Sequence, residues 1–410
     1  VTSLDTTFVR QQFPAFSEPS LQGWAHFENA GGSYTCGQVI QKLTSYYTET
    51  KVQPYHAYPI AQKAGEAMDT SYARLAAYLN VHEDELHLGP STSQNTYVLA
   101  QAFKGLWKAG DEIIVTNQDH EANSGVWRKL SRDGIVVKEW GVNPDTGELD
   151  PRQLENILTN RTRMVAYPQC SNVVAHWNPV KEINRIIHAA GAISIVDGVA
   201  AAPHGFPDVT DLDADIYLFS LYKTWGPHLG LMTIKTPIMD QLSNQGHYFH
   251  AGFSRKMFVP AGPDHAQIAA ASGVIDYLDT IYDHHFNAPG DVQARRKAVN
   301  DLFAEHENEC LKTLLDWLKE RDDIRLLGSD RAEKRAPTVS IWPLRKKIED
   351  IQVILTKHKL MTGSAHFYAP RLLEAMNLVA DEGVLRMSFL HYTTEEEIHQ
   401  LIQGLSAALD

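Results

Sequence analysis

Cysteine is scarce: only Cys36, Cys170 and Cys310 occur in 410 residues. Such a set cannot frame a disulfide scaffold and fits free thiols in a reducing compartment. Basic charge is also short, with 37 Lys and Arg against 50 Asp and Glu and a net charge of −13. That balance argues against nucleic acid or an anionic membrane surface as partner, and favours solubility. No apolar run approaches the ~18 residues that span a bilayer. The opening VTSLDTTFVRQQFPAF lacks a basic region followed by an apolar one, so no secretory signal is read there. The expectation is a soluble cytoplasmic protein. Familiar site motifs are missing too: there is no GxGxxG after a strand, no P-loop, no GxSxG elbow and no HExxH. His82 and His87 in HEDELH fall off a common helical face, so no metal site is expected.

What is present is a globular chain too long for one ordinary core. Between about residues 86 and 235, DEIIVT, GIVVKEW, TRMVAYP, AISIVD, DIYLFS and LGLMTIK read as strands. They alternate with helical patterns such as PVKEINRIIHAAG, where Val180, Ile183, Ile186 and Ile187 share a face and Gly191 stops the run. The fold class is therefore α/β, a mainly parallel sheet covered by helices. After about residue 265 the pattern changes. DHAQIAAASGVIDYLDTIYDHHF and QARRKAVNDLFAEHENECLKTLLDWLKERDD read as long helices, and APTVSIWPL and VLRMSFL as short strands. A last helix, TEEEIHQLIQGLSAAL, has a capping box in Thr394 and Glu397. The expected division is an N-terminal arm over 1–25, a large domain over 26–265 and a small α+β domain over 266–410.

In such sheets ligands bind beyond the carboxyl ends of the strands. Asp197 closes AISIVD there, and Ser220 and Lys223 follow DIYLFS. The turn in LGPSTSQNTYVLAQAF offers the hydroxyls of Ser91, Thr92 and Ser93 at a helix start, a ready anion site. His120 follows DEIIVT, where an imidazole can stack on a ring. Each feature alone is ordinary, since serines cap helices and aspartates end strands in many folds. Together they match pyridoxal 5′-phosphate. Lys223 supplies an amine for its aldehyde, Asp197 a carboxylate for its ring nitrogen, and the hydroxyls donors for its phosphate.

The chain resembles the class V aminotransferase and cysteine desulfurase family, fold type I of the pyridoxal-phosphate enzymes. HFENAGGS resembles that family's opening strand, GPSTSQNT its phosphate loop and DHEAN its stacking loop. QCSNVVAHWNPV resembles its Ser-Asn segment, VDGVAAAPHGFPDVTDLDADIYLFSLYKTWGPHLG its Asp-to-Lys core and VLRMSFLHYTTEEEI its arginine segment. The resemblance implies a large parallel-sheet domain with a smaller α+β domain. It implies Lys223 as the Schiff-base lysine, Asp197 on the pyridine nitrogen, His120 on the ring face, and Thr92 and Ser220 on phosphate. It implies Asn172 and Arg386 at the substrate carboxylate, with Asn29 and Ala30 close by. It further implies a homodimer, with the segment of His56 in VQPYHAYPIA reaching the partner's active site and residues 261–265 reaching the neighbouring subunit.

Departures from the family pattern carry information. Ala200 stands where the desulfurases have a glutamine for the cofactor's phenolic oxygen, and Tyr222 stands where they have a histidine. Their nucleophilic cysteine has no counterpart in MTGSAHFYAPRLLEAM, where His366 lies near the corresponding place. The reading is a pyridoxal-phosphate enzyme acting on a small amino acid, cleaving Cβ–S or Cβ–Se as a lyase. A class V aminotransferase, an amino-acid racemase or epimerase, and an inactive homologue serving as a scaffold are the alternatives.

Overall fold

Runs rich in Ile and Val, bounded by Gly and Asp turns, become strands buried on both faces. The computed structural model describes residues 3–286 and 288–410. Its strands in chain order are β1 (Ala25–His26), β2 (Leu86–Gly89), β3 (Glu112–Thr116), β4 (Val136–Trp140) and β5 (Thr162–Pro168). There follow β6 (Ile193–Asp197), β7 (Ile216–Ser220), β8 (Gly230–Ile234) and β9 (Ile324–Leu327). The last four are β10 (Thr338–Pro343), β11 (Leu360–Met361), β12 (Gly363–Ala365) and β13 (Val384–Ser388).

Seven strands form the large sheet in the order β2-β8-β7-β6-β5-β3-β4. Neighbours from β4 through β7 pair in parallel, whereas β8 runs antiparallel to both β7 and β2. The connection over 221–229 is too short for a crossover helix, so β8 must return as a hairpin partner. Lys223 sits in that connection. The helix Val180–Ala189 ends as its sequence indicates, with Gly191 at φ +74°.

The second sheet is antiparallel, in the order β12-β13-β10-β9, while β1 pairs in parallel with β11. The helices Val292–Lys319, Ile348–Lys357 and Glu395–Leu409 accompany it. The Thr394 and Glu397 capping box is formed. Near the N-terminus, Arg10 pairs with Glu397 at 2.9 Å, and Phe13 packs edge-on against Tyr277 and Tyr392.

One expectation is corrected. The run from Asp264 to Phe286 is not one helix but two, His265–Ala270 and Gly273–His285. The Ser71 hydroxyl accepts from the Ser272 amide at 3.1 Å and donates to the Ala269 carbonyl at 3.0 Å. It replaces a stretch of the helical ladder with side-chain bonds, which periodicity cannot foresee.

Candidate active site

The carboxyl ends of β3, β6 and β7 meet the start of the helix Thr92–Phe103 around a cleft of about 530 Å³. It gathers Ser91, Thr92, Ser93, His120, Asn172, Asp197, Ala200, Ser220, Tyr222 and Lys223. Asp197 ends β6, and one carboxylate oxygen accepts from the Val199 amide at 2.8 Å. Burial pushes its carboxyl up to about 6, against the lowering effects of the Val199 bond and Lys223.

Lys223 closes the tight turn Leu221–Lys223 after β7. Burial, and then the Arg386 charge, push its amine down to about 8, with Asp197 and Glu28 opposing. It forms no hydrogen bond or ion pair among the described residues. A half-buried amine without a protein partner is costly in an empty protein and suits a carbonyl ligand. The turn is held from the N-terminal segment: the Ser33 hydroxyl accepts from the Trp225 amide at 2.8 Å, and the Ser33 amide donates to the Tyr222 carbonyl at 3.2 Å.

Ser91 caps the helix Thr92–Phe103 by accepting from the Gln94 amide at 3.1 Å. Thr92 Oγ1 and Ser220 Oγ, both buried, bond each other at 2.7 Å, joining the helix start to the end of β7. A Cβ on Gly230 would lie 2.3 Å from the Ser91 carbonyl carbon, so only glycine lets β8 run this close beneath the loop. The result is a cradle of hydroxyls and helix-start amides suited to a phosphate.

His120 Nδ1 accepts from the Ala122 amide at 3.0 Å, which leaves the neutral ring's proton on Nε2. Burial first, then Lys223 and Arg386, push its pKa down to about 3. The ring of Tyr368 lies 5.1 Å from it. The loop carrying Tyr368 is tied across the cleft at three points. The Glu121 amide donates to the Tyr368 carbonyl at 2.7 Å, Asn172 Nδ2 donates to the Phe367 carbonyl at 2.8 Å, and Arg371 pairs with Glu121.

Arg386, in the middle of β13, is 3% exposed and stacks over Phe367 at 3.6 Å. It donates to Glu28 Oε1 at 2.7 Å and to the Asn172 carbonyl at 3.0 Å. Burial lowers its pKa, and Glu28 restores part of the loss. Arg386 Nε, Glu28 Oε2 and Asn172 Oδ1 are buried without a partner. Such orphans mark a place for a ligand with its own donors and acceptors.

Other residues singled out from the sequence lie elsewhere. Asn29 and Ala30 line an adjoining cavity of about 330 Å³, which Lys223 also reaches. The Asn29 amide donates to the His26 and Ser388 carbonyls, and its oxygen accepts from Tyr392. His56 is exposed beside Tyr58 and is not brought to the cleft by its own chain. His366 is outside the cleft lining, its Nδ1 accepting from the Tyr368 amide at 3.0 Å. Its neighbours Phe367 and Tyr368 approach the site instead. Cys170 lines the cleft, but burial pushes its thiol up to about 12, as it does those of Cys36 and Cys310. Sequence reasoning missed Glu28, Phe367 and Tyr368. Glu28 was adjacent to a marked residue, in HFENAGGS, and its charge was the available signal.

Known proteins resemble the chain over its whole length. The sequence pattern of the family described as aminotransferase class-V matches residues 25–258 and 298–401. The aminotransferase-like protein FGM3 of Gibberella zeae is 34% identical, over 98% of each chain. The cysteine desulfurase-like protein ustD of Aspergillus flavus is 28% identical, over 98% of this chain and 90% of its own. The apo cysteine desulfurase of Thermococcus onnurineus superposes with a TM-score of 0.86 at 20% identity, covering 100% of this chain and 99% of its own. With its fold type I sheet and the match across both sheet regions, the chain belongs to the class V aminotransferase family, whose members are pyridoxal-phosphate enzymes.

Proposed function

We propose that the protein binds pyridoxal 5′-phosphate in this cleft and cleaves a Cβ–S or Cβ–Se bond of a small amino acid as a lyase. The residues present fit the cofactor. Among the described residues the Lys223 amine has no competing partner, Asp197 has a carboxylate oxygen to spare, and Thr92 with Ser220 begins a phosphate cradle. When bound, the cofactor supplies an electron sink for negative charge at the substrate's Cα. The chain's residues do the rest. Asp197 holds a proton on the facing ring nitrogen, and Lys223, with its amine near 8, takes the proton from Cα. Arg386 and Asn172 hold the substrate carboxylate, while Phe367 and Tyr368 limit water.

The observation that carries the lyase reading is the state of the thiols. A desulfurase needs an accessible thiolate to take the sulfur, and all three thiols here are buried and pushed up to about 12. The test is a product screen over cysteine, cystine, selenocysteine, alanine and aspartate. Pyruvate and ammonia in equal amounts support the lyase. Alanine with a trapped persulfide overturns it, and amino transfer that depends on a keto acid favours the aminotransferase.

The site is further proposed to work within a homodimer. Tyr248, Phe249 and Phe253 are 88%, 59% and 63% exposed, and Tyr55, Tyr58 and Ile60 around His56 are exposed as well. Apolar surface of this kind supports a protein interface. A fully active monomer in sedimentation would contradict it.

A further inference from the structure

A second set of ionisable groups reaches the cavity of Lys223 through His204, and the scheme above does not use it. Glu307, in the middle of the helix Val292–Lys319, is 2% exposed. Its Oε2 lies 2.9 Å from His204 Nδ1, and its Oε1 lies 4.0 Å from His391 Nδ1. His391 Nε2 is 2.7 Å from the Tyr277 hydroxyl, and its ring stacks on Phe303 at 3.6 Å.

The proton positions follow from the chemistry. A buried carboxylate requires donors, and His204 Nδ1 is the one within hydrogen-bond distance of Glu307. His204 therefore carries its proton on Nδ1 and keeps a lone pair on Nε2. That Nε2 has no hydrogen-bond partner among the described residues. His204 lines the 330 Å³ cavity together with Lys223 and Asn172. The arrangement of carboxylate, imidazole and free Nε2 is that of an oriented general base.

We propose that His204 is a proton reservoir for Lys223, oriented by Glu307 as a positioning residue. The inference rests on Lys223 acting as the base at Cα. Once Lys223 has taken that proton, His204 Nε2 accepts one from the lysine ammonium by way of a water in the cavity that both residues line. An N–H bond of Lys223 breaks, an N–H bond of His204 forms, and no electrons are exchanged. Glu307 balances the imidazolium charge, and the proton returns when Lys223 is needed as an acid.

The test uses the full chain loaded with pyridoxal phosphate. His204→Asn keeps a donor toward Glu307 but offers no base, while His204→Ala opens space for added imidazole. Both variants should keep the wild-type absorption of the bound cofactor. Turnover should fall about 100-fold with KM within about twofold, and Cα-hydrogen exchange with deuterated water should slow in parallel. Imidazole should restore part of the His204→Ala rate, which a packing role would not allow. In apo protein, the ¹⁵N-histidine signal that disappears in His204→Asn should report the Nδ1–H tautomer. The Nε2–H tautomer, or wild-type turnover and exchange in either variant, overturns the reservoir alone. A wild-type protein that takes up no pyridoxal phosphate overturns it together with the reading of Lys223.

Discussion

Two buried arginines stand close to the small sheet and are used in opposite ways. Arg335, 1% exposed, donates to the Leu327, Ser329 and Thr338 carbonyls at 3.1, 2.7 and 2.6 Å. It forms no ion pair among the described residues, and burial pushes it down to about 10. Arg386 spends one bond on a carbonyl and one on Glu28, whose second oxygen is left unpartnered. Both leave Nε without a partner. The difference lies in the surroundings. Arg335 is ringed by carbonyls of its own loop and acts as a staple. Arg386 is paired with Glu28 beside orphaned polar atoms of Glu28 and Asn172. It lies outside the cleft lining itself, but Asn172 belongs to that lining, as does Lys223, which has no partner among the described residues. A buried cation that the protein itself satisfies is architecture, and one left wanting points to a ligand.

Lys223→Ala breaks the comparison hardest. Turnover should fall at least about 10⁴-fold, while the apo variant should unfold at no lower urea than wild type because the unpartnered amine is gone. Borohydride should fix the cofactor to Lys223 in the wild type, and a labelled peptide carrying another lysine would refute its role.

Asp197→Asn comes next and separates stability from function. The native carboxyl, at about 6, holds its proton more tightly than the ordinary value of 3.8 allows. The native state thus binds more protons than the unfolded chain between those values, and stability falls as pH rises through them. At pH 7 the penalty is roughly 3 kcal/mol, which asparagine removes. Apo Asp197→Asn should therefore unfold at higher urea than wild type at pH 7, and nearly together with it below pH 4. Its turnover should nevertheless collapse.

The same change at both arginines sharpens the contrast directly. Arg335→Lys replaces a fork by a point charge that cannot reach three carbonyls, and should cost about 2 kcal/mol in urea with KM nearly unchanged. Arg386→Lys should keep stability within about 1 kcal/mol but raise KM at least about tenfold. The smallest effect is expected of Thr92→Val, which removes one hydroxyl from the phosphate cradle. Cofactor affinity should drop about tenfold by fluorescence titration, equivalent to about 1.4 kcal/mol.

Much of the large sheet could be read in advance because it is written in local runs. DEIIVT, TRMVAYP, AISIVD and DIYLFS each declare a strand, and the polar Asp197 and Ser220 at the ends of the last two declare which end is chemical. The helix over 92–103 and the capping box at Thr394 are equally local. What stayed hidden depends on distant pairs. Glu28 meets Arg386 across 358 positions, and Asn172 meets Phe367 across 195. The split of the helix after Ala270 depends on Ser71, about two hundred positions earlier. His366 carries the titratable group of its loop, whereas the loop turns Phe367 onto Arg386 and Tyr368 toward His120, both at positive φ.

The bond from the Glu121 amide to the Tyr368 carbonyl has a kinetic consequence. It joins the loop after β3, next to His120 of the cleft lining, to the segment before the helix Pro370–Ala375. Breaking that bond frees the Tyr368 segment from the loop that carries His120, an opening event at one wall of the cleft. The Glu121 hydrogen is shielded only while the bond holds, so its exchange with deuterated solvent clocks the opening, with no need for a substrate or a colour change.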